Sequence, residues 1–114
     1  VFSWRDMWPA ISQTLDVPLG EDEPLSVAEY VMQREDLWRG IVARHDLAPN
    51  TLEQIVGESH HYADLCFALG ANDAPPPIFV STVKIHQAGF NQTYNSEESF
   101  CYWLQDLRSR RIIP

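Results

Sequence analysis

The sequence predicts a mainly α-helical small domain with at most one or two short strands. Three observations carry that expectation. Apolar residues recur at helical spacing along most of the chain. Good capping residues (Ser3, Ser26, Thr51 and Asn95) stand just ahead of those stripes. Only one run, Ile78-Phe79-Val80, has the β-branched and aromatic character of a strand. A length of 114 residues with 45% hydrophobic content suits one domain over 1–114.

The elements follow in order. Ser3 with Asp6 reads as a capping box ahead of Trp4, Met7, Trp8, Ile11 and Leu15. Pro9 falls near the first turn, where a missing N–H costs least. Residues 16–25, DVPLGEDEPL, form a turn-rich acidic loop whose Glu21-Asp22-Glu23 run is solvated. Ser26 with Glu29 is a second capping box, opening a helix through Tyr30 and Val31. Glu35 to Arg44 places Leu37, Trp38, Ile41 and Val42 on one stripe. Residues 45–50 break that helix. Thr51 then caps a short one over Leu52, Ile55 and Val56, and Gly57 ends it.

Glu58 to Leu69 predicts another helix, stopped at Gly70, and 72–77 is a rigid proline-rich loop. The strand-like run at 78–80 needs a pairing partner, because a lone strand leaves its backbone groups unmet. Thr82 to Ala88 reads as a helical turn or two with Gly89 as C-cap. Asn95 with Glu98 is a third capping box, followed by a buried stripe of Phe100, Trp103, Leu104 and Leu107. Arg108, Arg110 and Arg111 oppose the dipole at that helix's end.

Charge narrows the partners. Sixteen acidic against eight basic residues leave a formal charge of −8, which repels nucleic acid and anionic membrane surfaces. There is no run of eighteen apolar residues and no signal-peptide pattern, so a cytoplasmic protein is expected. Cys66 and Cys101 fit buried free thiols in a reducing compartment. Zinc needs three or four ligands, and neither H-x-x-x-H nor C-x-x-C occurs, so no metal site is expected. Four Trp, four Tyr and five Phe are many for this length. They fill an ordinary core, or part of them lines a pocket or a partner surface.

Several pieces, taken in order, carry a resemblance. Phe2-Ser3-Trp4-Arg5-Asp6-Met7-Trp8 fits an F-x-W-x-x-[LM]-W segment. The stretch from Leu37 to Leu47 fits VW-x-x-IV-x-x-x-GL, with Asp46 where Gly is usual. Tyr62-Ala63-Asp64 stands for F-A-D, Ser81 to Lys84 with Gly89-Phe90 for S-x-x-K…GF, and Ile112-Ile113-Pro114 for a closing [IV][IV]P. Together they resemble the C-terminal, substrate-binding portion of atypical extended short-chain dehydrogenase/reductases of the progesterone 5β-reductase and iridoid synthase-like kind.

That resemblance implies a substrate-binding domain of an NADPH-dependent reductase of activated C=C bonds such as enones. In such enzymes an upstream Rossmann domain holds NADPH and the catalytic Tyr and Lys. Here no glycine-rich turn and no Tyr-x-x-x-Lys pair occurs, and Lys84 is the only lysine. No cofactor site is expected in this chain, which would be inert as a reductase alone. The resemblance also implies pocket roles for His60, His61, Tyr62, Asp64 and Phe67, with His60-His61 replacing the usual aromatics.

From the residues themselves, His61 and Asp64 share a helical face, so the Asp could orient the His as half of a general base. The plainer reading, a helix-surface pair or a contact with a helix N-terminus, is favoured, since no nucleophile is placed beside them. Adjacent His60 and His61 point about 100° apart on a helix and do not share a metal. Trp4 and Trp8, one turn apart, fit core, pocket wall or interface.

Three readings of function stand at this point. The first is the truncated substrate-binding domain, with a small hydrophobic molecule and an absent Rossmann domain as partners. The second is a cofactor-free isomerase or cyclase of secondary metabolism using His60, His61, Tyr62 and Asp64. The third is a non-catalytic module that forms a homodimer across its uncovered apolar face.

Overall fold

The structure is a computed structural model that describes residues 2–73, 76 and 78–114. Seven helices and no strands occur among the described residues. They are α1 (Trp4–Leu15), α2 (Val27–Met32), α3 (Glu35–Arg44), α4 (Leu52–Val56), α5 (Ser59–Cys66), α6 (Val83–Gln87) and α7 (Ser96–Ser109). None of them is long and apolar enough to cross a membrane.

Two of the helices start as their sequence dictates. The Ser3 hydroxyl accepts from the Asp6 amide at 3.3 Å, and the Asp6 carboxylate accepts in return from the Ser3 amide at 3.3 Å. Thr51 and Gln54 form the same reciprocal pair at α4, at 3.1 and 2.9 Å. Asn95 accepts from the amides of Glu97 and Glu98 at α7, without a return bond from the Glu98 side chain. Ser26 accepts from the Glu29 amide at 3.1 Å, but here too the box is only half made. The open amides that follow Ser26 are met from α5, as described below.

Pro9 departs from expectation. It lies inside α1 rather than in its first turn, so the Arg5 carbonyl lacks its helical partner. Both residues are exposed, and water can reach that carbonyl. The helix expected over 58–69 is shorter, because Ala68 (φ 54°) and Gly70 (φ 76°) turn left-handed. Of the expected stripes, Leu37 and Trp103 instead lie more than half exposed. Both cysteines are free, with Cys101 half-buried, but Cys66 is exposed rather than buried.

Helices pack in pairs: α1 on α7, α2 on α5 and α3 on α4. The Arg108 guanidinium ties α7 to the Thr14 carbonyl at 2.9 Å. Trp38 Nε1 donates to Asn50 Oδ1 at 2.9 Å, and Glu35 Oε2 accepts from the Leu52 amide at 3.0 Å. The C-terminal turn is clasped to the loop after α3. Arg111 donates to the carbonyl and the carboxylate of Asp46, and the Ala48 amide donates to the Arg111 carbonyl at 2.7 Å. Asp46 has φ 50°, a left-handed conformation that glycine adopts most easily. Asp tolerates this conformation better than most residues, and here its oxygens also meet Arg111.

The buried apolar core among the described residues is small: Met7, Leu47 and Leu52. The radius of gyration is 17.0 Å, against about 13 Å for a compact chain of this length. The accessible surface is 9550 Å², against about 6,400 Å² for a folded monomer of this mass. The segment around α6 belongs to none of the packed pairs, and residues 78–95 are all exposed.

Ile78, Phe79 and Val80 are 90%, 72% and 84% exposed and adopt no regular structure, so the expected strand does not form. This segment is open to solvent, and no strand lies beside it among the described residues. The proline loop expected at 72–77 lies partly outside the described residues.

Candidate functional site

Five aromatic rings from three parts of the chain meet in one wall. Trp4 and Trp8 stand one turn apart on α1, with ring centroids 6.1 Å apart. Phe67, at the C-terminal end of α5, lies 5.4 Å from Trp4, edge to face, and 6.1 Å from Trp8. Phe2 and Phe100 close the other side, 5.9 and 5.7 Å from Trp4. Edge-to-face packing at these separations is the favoured geometry for aromatic quadrupoles. Trp8, Phe67 and Phe2 remain about two-fifths exposed, so the wall keeps an open apolar face. Beside it is an open hollow of about 340 Å³ lined in part by Phe2, Met7 and Tyr94.

The structure thus brings together three of the residues picked from sequence, Trp4, Trp8 and Phe67. Phe2 and Phe100 were not picked for the site. Phe2 opens the F-x-W segment, and Phe100 lies on the apolar stripe of α7. Both signals were present, but neither says that the two rings meet.

The polar residues of α5 do not converge. His60 Nδ1 lies 2.9 Å from the Gly57 carbonyl, which can only accept, so that nitrogen carries the proton. Its ring stacks on that of His61, with centroids 3.9 Å apart. His61 Nε2 lies 3.4 Å from Glu58 Oε2, on an exposed surface. Tyr62 is 63% exposed.

Asp64 turns away from His61. Its Oδ2 accepts from the Ser26 hydroxyl at 2.6 Å, and its Oδ1 accepts from the amides of Val27 at 2.7 Å and Ala28 at 3.4 Å. The Ser26 hydrogen bond, helped by the two amides, holds the carboxyl below its ordinary value of 3.8, against the opposing effect of burial. The His61–Asp64 pairing expected from their shared face is therefore not formed. Three donors at the open start of α2 hold the carboxylate more strongly than one ring nitrogen would.

Of the five glycines, Gly57 alone shortly precedes a helix start, that of α5, and its carbonyl lies against the His60 ring. Among the described residues, no three His, Cys, Asp or Glu side chains gather as metal ligands. A second open hollow of about 360 Å³ lies between α4 and the C-terminal turn, lined by Ile55, Leu107, Ile112 and Ile113 among others. It contains none of the expected site residues.

In sequence, the chain resembles the C-terminal part of larger reductase-like proteins. No protein-family model matches the chain. Over its full length it is 27% identical to the (S)-8-oxocitronellyl enol synthase of Camptotheca acuminata and 25% identical to that of Catharanthus roseus. It is 21% identical to the 3-oxo-Δ(4,5)-steroid 5β-reductase of Arabidopsis thaliana. The chain spans 28% of the length of each of these relatives and resembles their C-terminal part.

Proposed function

We propose that this chain is the substrate-binding part of an enone reductase-like protein that uses NADPH held elsewhere. Trp4, Trp8 and Phe67 form the apolar wall against which a small hydrophobic carbonyl compound lies. His60 and Tyr62, on the helix that ends at Phe67, supply a polar margin. The observation that carries this reading is the wall itself: rings from α1, the end of α5 and α7 packed around Trp4, with one side left open.

The relatives' names support the substrate class, since a 3-oxo-Δ(4,5)-steroid is a conjugated enone and an enol is what 1,4-reduction of an enal first yields. The hydride donor has no site on these residues. Alone, the chain binds such molecules and does not reduce them.

Saturation-transfer NMR with progesterone, a 3-oxo-Δ4 steroid, tests this directly. The chain is expected to bind it weakly, since an open wall buries only part of the ligand. Trp4→Ala and Phe67→Ala should each remove most of the transferred signal. Adding NADPH should change neither the signal nor the absorbance at 340 nm. An undiminished signal in both variants would refute the wall as the binding surface.

The surplus surface favours a second reading for the isolated chain. Some 3,000 Å² beyond a compact monomer is more than the roughly 800 Å² per partner that a stable interface needs. The uncovered apolar segment around α6 would then cover itself by forming a homodimer. Light scattering between 10 µM and 1 mM reports this as a doubling of mass.

A further inference from the structure

The wall is assembled from two separately packed pairs of helices. Trp4, Trp8 and Phe100 belong to α1 and α7, which pack on each other. Phe67 belongs to the other pair, α2 with α5. Its seat against Trp4 and Trp8 is where the two pairs meet. What orients α5 therefore decides the shape of the wall.

Neither helix of the second pair is stable by itself. α2 has 6 residues and α5 has 8, below the roughly 12–15 that an isolated helix needs in water. α5 has no side-chain cap of its own at Glu58. Among the described residues, the hydrogen bonds joining α2 and its cap to α5 all run to one side chain, Asp64. It accepts from the Ser26 hydroxyl and from two open amides of α2, those of Val27 and Ala28. Asp64 also stands three residues before Phe67, so its latch lies less than one turn from the ring it would control.

We propose that Asp64 is a positioning residue for the aromatic wall. By pinning α5 to the start of α2, it sets the depth and tilt at which Phe67 meets Trp4 and Trp8. It touches no ligand, and its effect on binding passes through Phe67. The proposal rests on the binding reading above only for its consequence, since the geometry of the wall is measurable without any ligand.

The test uses the full 114-residue chain and reads the Phe67 ring-proton shifts, which are displaced by the ring currents of Trp4 and Trp8. Asp64→Ala should return those shifts most of the way to random-coil values while far-UV circular dichroism keeps its helical form. Asp64→Asn should retain much of the displacement, because its amide oxygen still accepts from Val27 and its NH₂ can donate to Ser26. Ser26→Ala removes one donor of three and should shift the same protons by less than Asp64→Ala does.

With progesterone as probe, Asp64→Ala should weaken binding about as much as Phe67→Ala. In the double variant it should add nothing further, as residues acting through one contact are not additive. Unchanged Phe67 shifts in Asp64→Ala would overturn the proposal, and so would additive losses in the double variant. If Asp64→Ala does not fold, the graded shifts of Asp64→Asn and Ser26→Ala decide it, and wild-type shifts in both would refute it. A wild-type chain that shows the ring-current shifts but binds no steroid would defeat the binding reading alone, with the shifts still deciding this one.

Discussion

Met7 is the most buried side chain described in this domain, at 2% exposure, and it lies on α1 beside the start of α7. Replacing it with Ala removes two carbons and a sulfur from a core with few other members. At about 0.8 kcal/mol per methylene-sized group, lost transfer energy alone comes to about 2.4 kcal/mol. The cavity left behind raises the total toward 3–4 kcal/mol, within the roughly 2–5 kcal/mol range for such truncations.

A domain this size holds only about 5–15 kcal/mol of stability, and the thin core argues for the lower end. Urea unfolding followed by Trp fluorescence should show the midpoint falling by a third or more, with Leu19→Ala, an exposed site, as control. The thermal midpoint should drop by more than about 10 °C. A loss below about 1 kcal/mol, or one equal to the control, would refute Met7 as the centre of the core.

Pro9→Ala restores the amide missing inside α1 and should raise stability by about 1–2 kcal/mol once the looser unfolded chain is counted; a lower urea midpoint would contradict this. Glu35→Ala strips the acceptor from the Leu52 amide at the start of α4 and should cost about 1–2 kcal/mol. Glu35→Gln keeps an acceptor and should cost less than half of that in the same unfolding assay. For pH, the Asp64 and Asp6 carboxyls both lie below 3.8 in the folded chain, held mainly by their hydroxyl partners Ser26 and Ser3. A lowered folded value stabilises above the unfolded value and is lost as pH falls through the folded one. Wild-type stability should therefore decline below about pH 4. The advantage of wild type over Asp64→Asn should be clear at pH 6 and shrink at pH 3, and an equal advantage at both would contradict the assignment.

Local signals were legible where both partners lie within one helical turn. Ser3 with Asp6 and Thr51 with Gln54 close reciprocal caps because the bonding groups are three residues apart. Trp4 and Trp8 share a face for the same reason. Ser26 with Glu29 closes only half a box, and Asp64 passes over His61, three residues away, for a distant partner. Asp64 finds Ser26 across 38 residues, and no periodicity reports that. Phe67 entered the site through family resemblance rather than spacing. Phe2 and Phe100, 98 positions apart, meet only once α1 lies on α7.

By itself the sequence determined the helices, most of their caps and the resemblance to the C-terminal part of larger reductase-like proteins. These rest on contacts within a turn or on the order of short motifs, both written along the chain. The tertiary structure alone decided which carboxylate closes which helix, which rings form the wall and that residues 78–80 stay unpaired. Each of those outcomes is a competition among groups far apart in sequence, and only folding brings the competitors within reach.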